Sequence, residues 1–490
     1  MTVLGDEPIE IACNGYSLTP ATPGGGVEGE LVFVGSSLLA SYGEAARGRI
    51  VVCDGIAIEE GSRAAAAGGA IGQIYVNPEH IHEMCVSPVW GTPVPETAGM
   101  LPSVPAVGIA RGDGERLRRL VADGPVTVRL ETTPHRAWTE IPTLTADLPG
   151  TEADDFVLFS GHVDSWHHGA MDNGSANATQ LEVGRILADR RGELRRGVRL
   201  AFWSGHSHGR YAGSAWYADT FWEQLHRHCV CHVNVDSVGA VGATILDATA
   251  SMAETYDFAR GVLRETVGVE LEYHRIGRSS DQSFWGHGVP SLFGALSFRP
   301  ASESDAAVAE IFGGRSLGWW WHTTEDLVDK INPDNLVRDV RVYEATLLGL
   351  CREERIPFDP AAGAREMADT LSSYATRAGG AIDLTDSAKL AGTVVGAIDD
   401  AAIERRPAAE ANQLTMALCR ALIPVNYTAN GPFEQDLATD SAPLPGLREV
   451  DRLAELEPGS DDWHFLRTKL HRAQNRVDHA LSKAARLVGA

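Results

Sequence analysis

Between residues 136 and 355, short apolar runs alternate with amphipathic stretches, and three of the runs end on metal-ligating residue types. Phe156-Val157-Leu158-Phe159 leads into Gly161-His162, the run 198–203 leads into Gly205-His206, and the run 230–235 leads into Asp236. A further strand is expected over 290–296. Helical spacing covers 173–188, with Leu181, Val183, Ile186 and Leu187 on one side, and then 214–226 and 253–267. Such alternation predicts an α/β fold: a mostly parallel, mixed sheet with helices on both faces. Open sheets of this kind gather ligands beyond the carboxyl ends of their strands, where His162, His206 and Asp236 fall.

The residue types at those ends suit a metal. His162 and Asp164 are two apart on an extended segment and point the same way. A ligand histidine needs an acceptor on its second ring nitrogen, and Asp164 is placed to be that acceptor. Asp172, in Met171-Asp172-Asn173-Gly174-Ser175, reads as a helix cap on its own and as a ligand beside His162 and Asp236. Asp236 ends a buried strand, where a carboxylate is costly unless paired or bound to a cation. His162, Asp172 and Asp236 together make one complete set of three zinc-type ligands with an open fourth position. His322 follows Trp319-Trp320-Trp321. Trp321 and its neighbours are expected either to wall an apolar pocket or to pack in the core.

These segments, with Ser204-Gly205-His206-Ser207-His208-Gly209-Arg210-Tyr211 between them, resemble the co-catalytic dizinc aminopeptidases. The likeness is to the branch that includes glutamate carboxypeptidase and the transferrin receptor. The resemblance implies that Asp172 bridges two zinc ions and that His322 belongs to the second. It also implies two adjacent glutamates in the central segment, one a general base and one a ligand. This chain has His206-Ser207-His208 there. Matching forward from Phe202 puts His206 at the base position and Ser207 at the ligand position. Matching backward from Ser214 puts Ser207 at the base position and His208 at the ligand position. In either register no carboxylate remains to accept a proton from water. His206 is the first choice as replacement ligand or base, since imidazole does both near neutral pH, and His208 is the second. Both are alternatively polar loop residues. Arg210 and Tyr211 could hold a carboxylate or stabilise an oxyanion. Asp281 and Ser283 match a family segment that lines the site and are carried over as pocket residues.

Three domains are expected. Residues 1–135 contain a strand, an Ala-rich helix over 61–69 and two further strands, and resemble a protease-associated domain: small, β-rich and α/β. Residues 136–355 form the metallopeptidase-like domain. Residues 356–490 lose the strand signal. Phe465, Leu466, Leu470, Val477, Leu481, Ala484 and Leu487 recur there at helical spacing. In the resembling branch such a helical region forms a homodimer interface; a helical layer packed on its own chain fits as well.

A formal charge of −24 argues against nucleic acid and anionic membrane as partners. No apolar run approaches the roughly 20 residues of a membrane span. The N-terminus lacks a secretory pattern, which makes cytoplasm the default location, with a removed leader as the alternative. The seven cysteines are expected to be reduced core thiols, with Cys229 and Cys231 facing the same side of a strand.

The leading expectation is a metal-dependent hydrolase of a small amide or peptide-like substrate, with one or two divalent transition metals and zinc foremost. Two rivals stand beside it. One is a non-hydrolytic metalloenzyme on the same fold, as glutaminyl cyclases are. The other is an inactive receptor or scaffold, as the transferrin receptor is.

Overall fold

The computed structural model describes residues 1–152, 154–439 and 442–490. Valine- and isoleucine-rich runs near the N-terminus pair as parallel neighbours in the order Val27–Ser36, Ile50–Asp54, Gly72–Val76 and Ala106–Ile109. Short antiparallel strands extend this sheet to eight. Helices Glu59–Gly68 and Arg111–Asp123 accompany it. Gly69 ends the first helix at φ 73°, a left-handed conformation that glycine adopts without Cβ strain.

The second sheet has five strands, in the order Ser291–Leu292, Cys229–Asn234, Phe156–His162, Gly197–Trp203 and Leu144–Leu148. The first four are parallel and the last is an antiparallel edge. Val157, Phe159, Val198, Leu200 and Val233 pack beneath one face against Leu187 and Leu347. Phe156, Leu158, Ala201 and Trp203 pack beneath the other against Tyr217 and Leu225. Successive side chains therefore feed opposite cores, as a sheet covered on both faces requires.

Several local expectations are corrected. The strand expected over 290–296 stops at Leu292, because Phe293 turns to φ 62°. The helix expected over 214–226 is two helices, Ala212–Thr220 and Trp222–His228, broken at Phe221. The helix expected from 173 starts at Ala176, after an irregular turn over Ala170–Ser175. Its buried side is Ala176, Thr179, Gln180, Val183, Gly184 and Leu187, whereas Leu181 faces solvent. Cys229 and Cys231 join different cores: the pairing of their strand with Phe156–His162 slips between Phe156 and Val157, and a bulge reverses the alternation. All seven cysteines are free thiols, six of them buried.

Helices Pro360–Arg377, Thr385–Asp400, Ala408–Tyr427 and Asp461–Val488 share a core of their own. Leu466, Leu470, Val477, Leu481 and Ala484 point into it, but Phe465 and Leu487 are exposed. No helix among the described residues is long and apolar enough to cross a membrane.

One buried acid marks the seam between sheet and helices. Glu254 lies just before helix Tyr256–Val267, against Gly363, where an added Cβ would collide with its Oε1. Both carboxyl oxygens are buried without a hydrogen-bond partner. Burial pushes the group from an ordinary 4.5 up to about 7. A raised carboxyl pKa favours the fold while the group is protonated. That stability is fully present below about pH 4.5 and is lost as pH rises through about 7, at a cost on the order of 3 kcal/mol. Glu254→Gln should therefore unfold at higher urea than wild type at pH 8, with the gap closing at pH 5. An identical pH dependence in the two proteins would rule this out.

Candidate active site

His162 is the last residue of its strand and is buried. Its Nδ1 donates to the Asp164 backbone carbonyl at 2.7 Å. That bond turns Nε2 toward Asp172 Oδ1 at 3.0 Å and Asp236 Oδ1 at 3.6 Å. Close as they are, neither makes a hydrogen bond with Nε2, which is buried and unpartnered. A buried imidazole nitrogen facing two carboxylates in this way fits a divalent cation, and the N/O donor set suits zinc. Burial opposes a charge on His162, but the two carboxylates hold its pKa well above the ordinary range. A cation would have to displace a proton there.

The backbone of Asp164, not its carboxylate, orients the ring. The carboxylate lies 4.0 Å from Nδ1 and instead accepts the backbone N–H groups of His206 and Ser207 at 3.2 and 3.0 Å. It thus pins the segment that departs from the family pattern. Asp172 caps no helix. The Asp326 carboxylate takes the N–H groups of Met171 and Asp172, each at 2.9 Å, and so aims Asp172 inward. Asp172 Oδ2 sits 2.9 Å from His322 Nε2, so its two oxygens face two imidazoles. Burial alone would raise Asp172, but His162 and His322 hold it well below the carboxylate range. His322 donates from Nδ1 to the Glu83 carbonyl at 2.7 Å. Asp236 accepts from Ser237 and Ser280.

The loop after Trp203 brings in His206. Its ring stacks on that of His162, with centroids 3.7 Å apart, and meets Tyr211 edge-on at 4.7 Å. His206 Nδ1 lies 2.6 Å from Asp281 Oδ2. Asp281 is 1% exposed and its other oxygen accepts from Ser214 at 2.6 Å. Ser214 meets Ser283 at 2.9 Å, and Ser283 accepts from the Trp90 indole at 2.8 Å. Asp281 is therefore a direct partner of His206 rather than a lining residue, and burial's upward push on it is outweighed by that imidazole. Ligand atoms of His162, His206 and Asp236 lie within 4.8 Å of one another, the one such convergent group among the described residues.

Of His208, Arg210 and Tyr211, the structure brings Tyr211 alone to this cluster, edge-on to His206. His208 turns to Ser17 Oγ at 3.0 Å and to the Trp166 ring at 4.3 Å. Arg210 pairs in the interior with Glu59 at 2.8 Å, tying the loop to the N-terminal domain instead of facing the carboxylates. Tyr211 stacks on Trp90 at 4.0 Å, and burial pushes its hydroxyl up to about 12. Trp321 stacks on His322 at 3.6 Å and packs against Phe312. A crevice too narrow to hold a water molecule adjoins Asp172 and His322, bounded by Trp166, His167, Thr323 and Asp326.

Sequence reasoning missed Trp166, Asp326 and Trp90. Asp326 had a signal, four residues after His322 in the same acidic segment. Trp90 had none, since it reaches the site from another domain, 193 residues away from its partner Ser283.

Known proteins place this geometry. Residues 143–346 match the model of peptidase family M28, and residues 27–117 match the PA domain. The segment that carries the site therefore resembles peptidase family M28. A stretch of 124 residues is 31% identical to a probable glutamate carboxypeptidase, VP8, of Zea mays, covering 24% of this chain but only 17% of that protein. Leucine aminopeptidase 2 of Arthroderma otae is 25% identical over 358 residues, 66% of this chain and 67% of that protein. The structure of a zinc aminopeptidase from Bacillus subtilis shares the fold at a TM-score of 0.54 and 20% identity, over 72% of this chain and 82% of that one.

Proposed function

We propose that this chain is a peptidase of family M28 type, a metal-dependent hydrolase of a small amide or peptide-like substrate with an altered proton-transfer group. The observation that carries the reading is His162 Nε2, buried, unpartnered and facing Asp172 and Asp236. A bound divalent cation supplies polarisation of the scissile carbonyl and acidification of water. The remaining work falls to side chains. His162, Asp172 and Asp236 would hold the cation, with zinc the first choice on donor type. Asp281 accepts from His206 Nδ1, which leaves the lone pair on Nε2. That nitrogen is the group available to take the proton that a family glutamate would take, or to serve as a further ligand.

The test is a pair of variants. His206→Ala should lower activity about 10²–10⁴-fold if the imidazole is the base, with metal content unchanged. It should lower metal occupancy and activity together if the imidazole is a ligand. His208→Ala should be the milder change, because its ring is held by Ser17 and Trp166. Full activity and full metal in His206→Ala, with both lost in His208→Ala, would reject this assignment of the loop.

A further inference from the structure

We infer that this chain holds a single metal ion, in a frame whose resembling family holds two; the inference rests on the metal-site reading above. The first position is amply supplied. His162 Nε2, Asp172 Oδ1 and Asp236 Oδ1 face one another, and His206 stands beside them.

The second position has two donors, Asp172 Oδ2 and His322 Nε2, 2.9 Å apart. Zinc sites require at least three protein ligands drawn from Cys, His and carboxylates. Among the described residues, the nearest candidates for the third have partners elsewhere, and His167, which borders the crevice, faces Glu83 at 3.8 Å. His206 is drawn to Asp281 and lies flat on His162, on the side of the first position. Ser207 offers only a neutral hydroxyl. His208 is bound by Ser17, and the Trp166 ring stands between it and His322, with centroid distances of 4.3 Å to the first and 5.8 Å to the second. The Asp326 oxygens take two backbone N–H groups. The Glu83 carboxylate accepts from Asn14 at 2.8 Å and lies 3.8 Å from His167.

His322 Nδ1 donates to Glu83 O at 2.7 Å, and its Nε2 lies 2.9 Å from Asp172 Oδ2. With no third ligand beside it, this ring positions Asp172 for an ion held at the first position. We therefore assign His322 as a positioning residue, with the Trp166 ring packed edge-on against it.

The experiment is metal counting on the full chain, stripped with chelator, reloaded with zinc and freed of loose metal on a gel-filtration column. Elemental analysis should give one zinc per chain in wild type, one in His322→Ala and close to none in His162→Ala. Cobalt-loaded wild type should show the paramagnetic resonance of an isolated ion at full loading. Two zinc per chain, with one lost in His322→Ala or a cobalt signal quenched by coupling, would overturn the inference and leave the hydrolase reading intact. One zinc in wild type that disappears in His322→Ala would overturn the assignment of the ligands. No zinc in wild type would overturn the inference together with the metal-site reading beneath it.

Discussion

His162→Ala should leave the protein folded, unable to retain metal and without metal-dependent turnover. The imidazole contributes one nitrogen that faces both Asp172 and Asp236. Removing it takes away the donor the two carboxylates share. Residues that merely orient ligands typically cost 10–100-fold in affinity or activity when replaced, so loss of a direct ligand should cost more than about 100-fold in metal affinity. The fold should survive, because the side chain's one hydrogen bond runs to the nearby Asp164 carbonyl. Metal content after reloading, with circular dichroism as the folding control, checks this. Stoichiometric metal in the variant would mean that the ion sits elsewhere.

Ordinary aminopeptidase substrates should be poor ones. The resemblance to dizinc aminopeptidases implies a glutamate that accepts the proton from water, and Ser207 and its neighbours offer no carboxylate. Loss of a general base costs about 10²–10⁴-fold, and an imidazole recovers part of that only where its lone pair meets the substrate's geometry. Leucine anilide should thus be cleaved at least about 10²-fold more slowly than by a standard zinc aminopeptidase assayed alongside. Cleavage at a comparable rate would show that the loop keeps full base strength.

Much of this fold could be read from strand-end residues. The alternation of apolar runs located His162, His206 and Asp236 at one sheet edge, because a parallel sheet leaves few other places for its strands to end. Periodicity could not reveal what happens within a strand. The bulge that separates Cys229 from Cys231 costs one residue of register and leaves no trace in composition. Nor could spacing tell which atom of Asp164 orients His162: both the carbonyl and the carboxylate are close, and the carboxylate is taken by the backbone of the next loop. Asp281 was legible only as a pocket residue, since its bond to His206 joins loops 75 residues apart. Arg210 misled for a related reason: a loop arginine near a site suggests an anion contact, but here Glu59 from another domain provides the anion.

The central claim is that the cluster at His162, Asp172 and Asp236 makes this chain a metal-dependent hydrolase. It is tested most directly by product release from small amides and dipeptides. The measurement compares the chelator-stripped protein with the same sample reloaded with zinc, manganese or cobalt. The account predicts turnover of at least one compact amide that disappears on stripping, returns on reloading and is absent from His162→Ala. Turnover that persists at full rate without metal, or equally in His162→Ala, would contradict it.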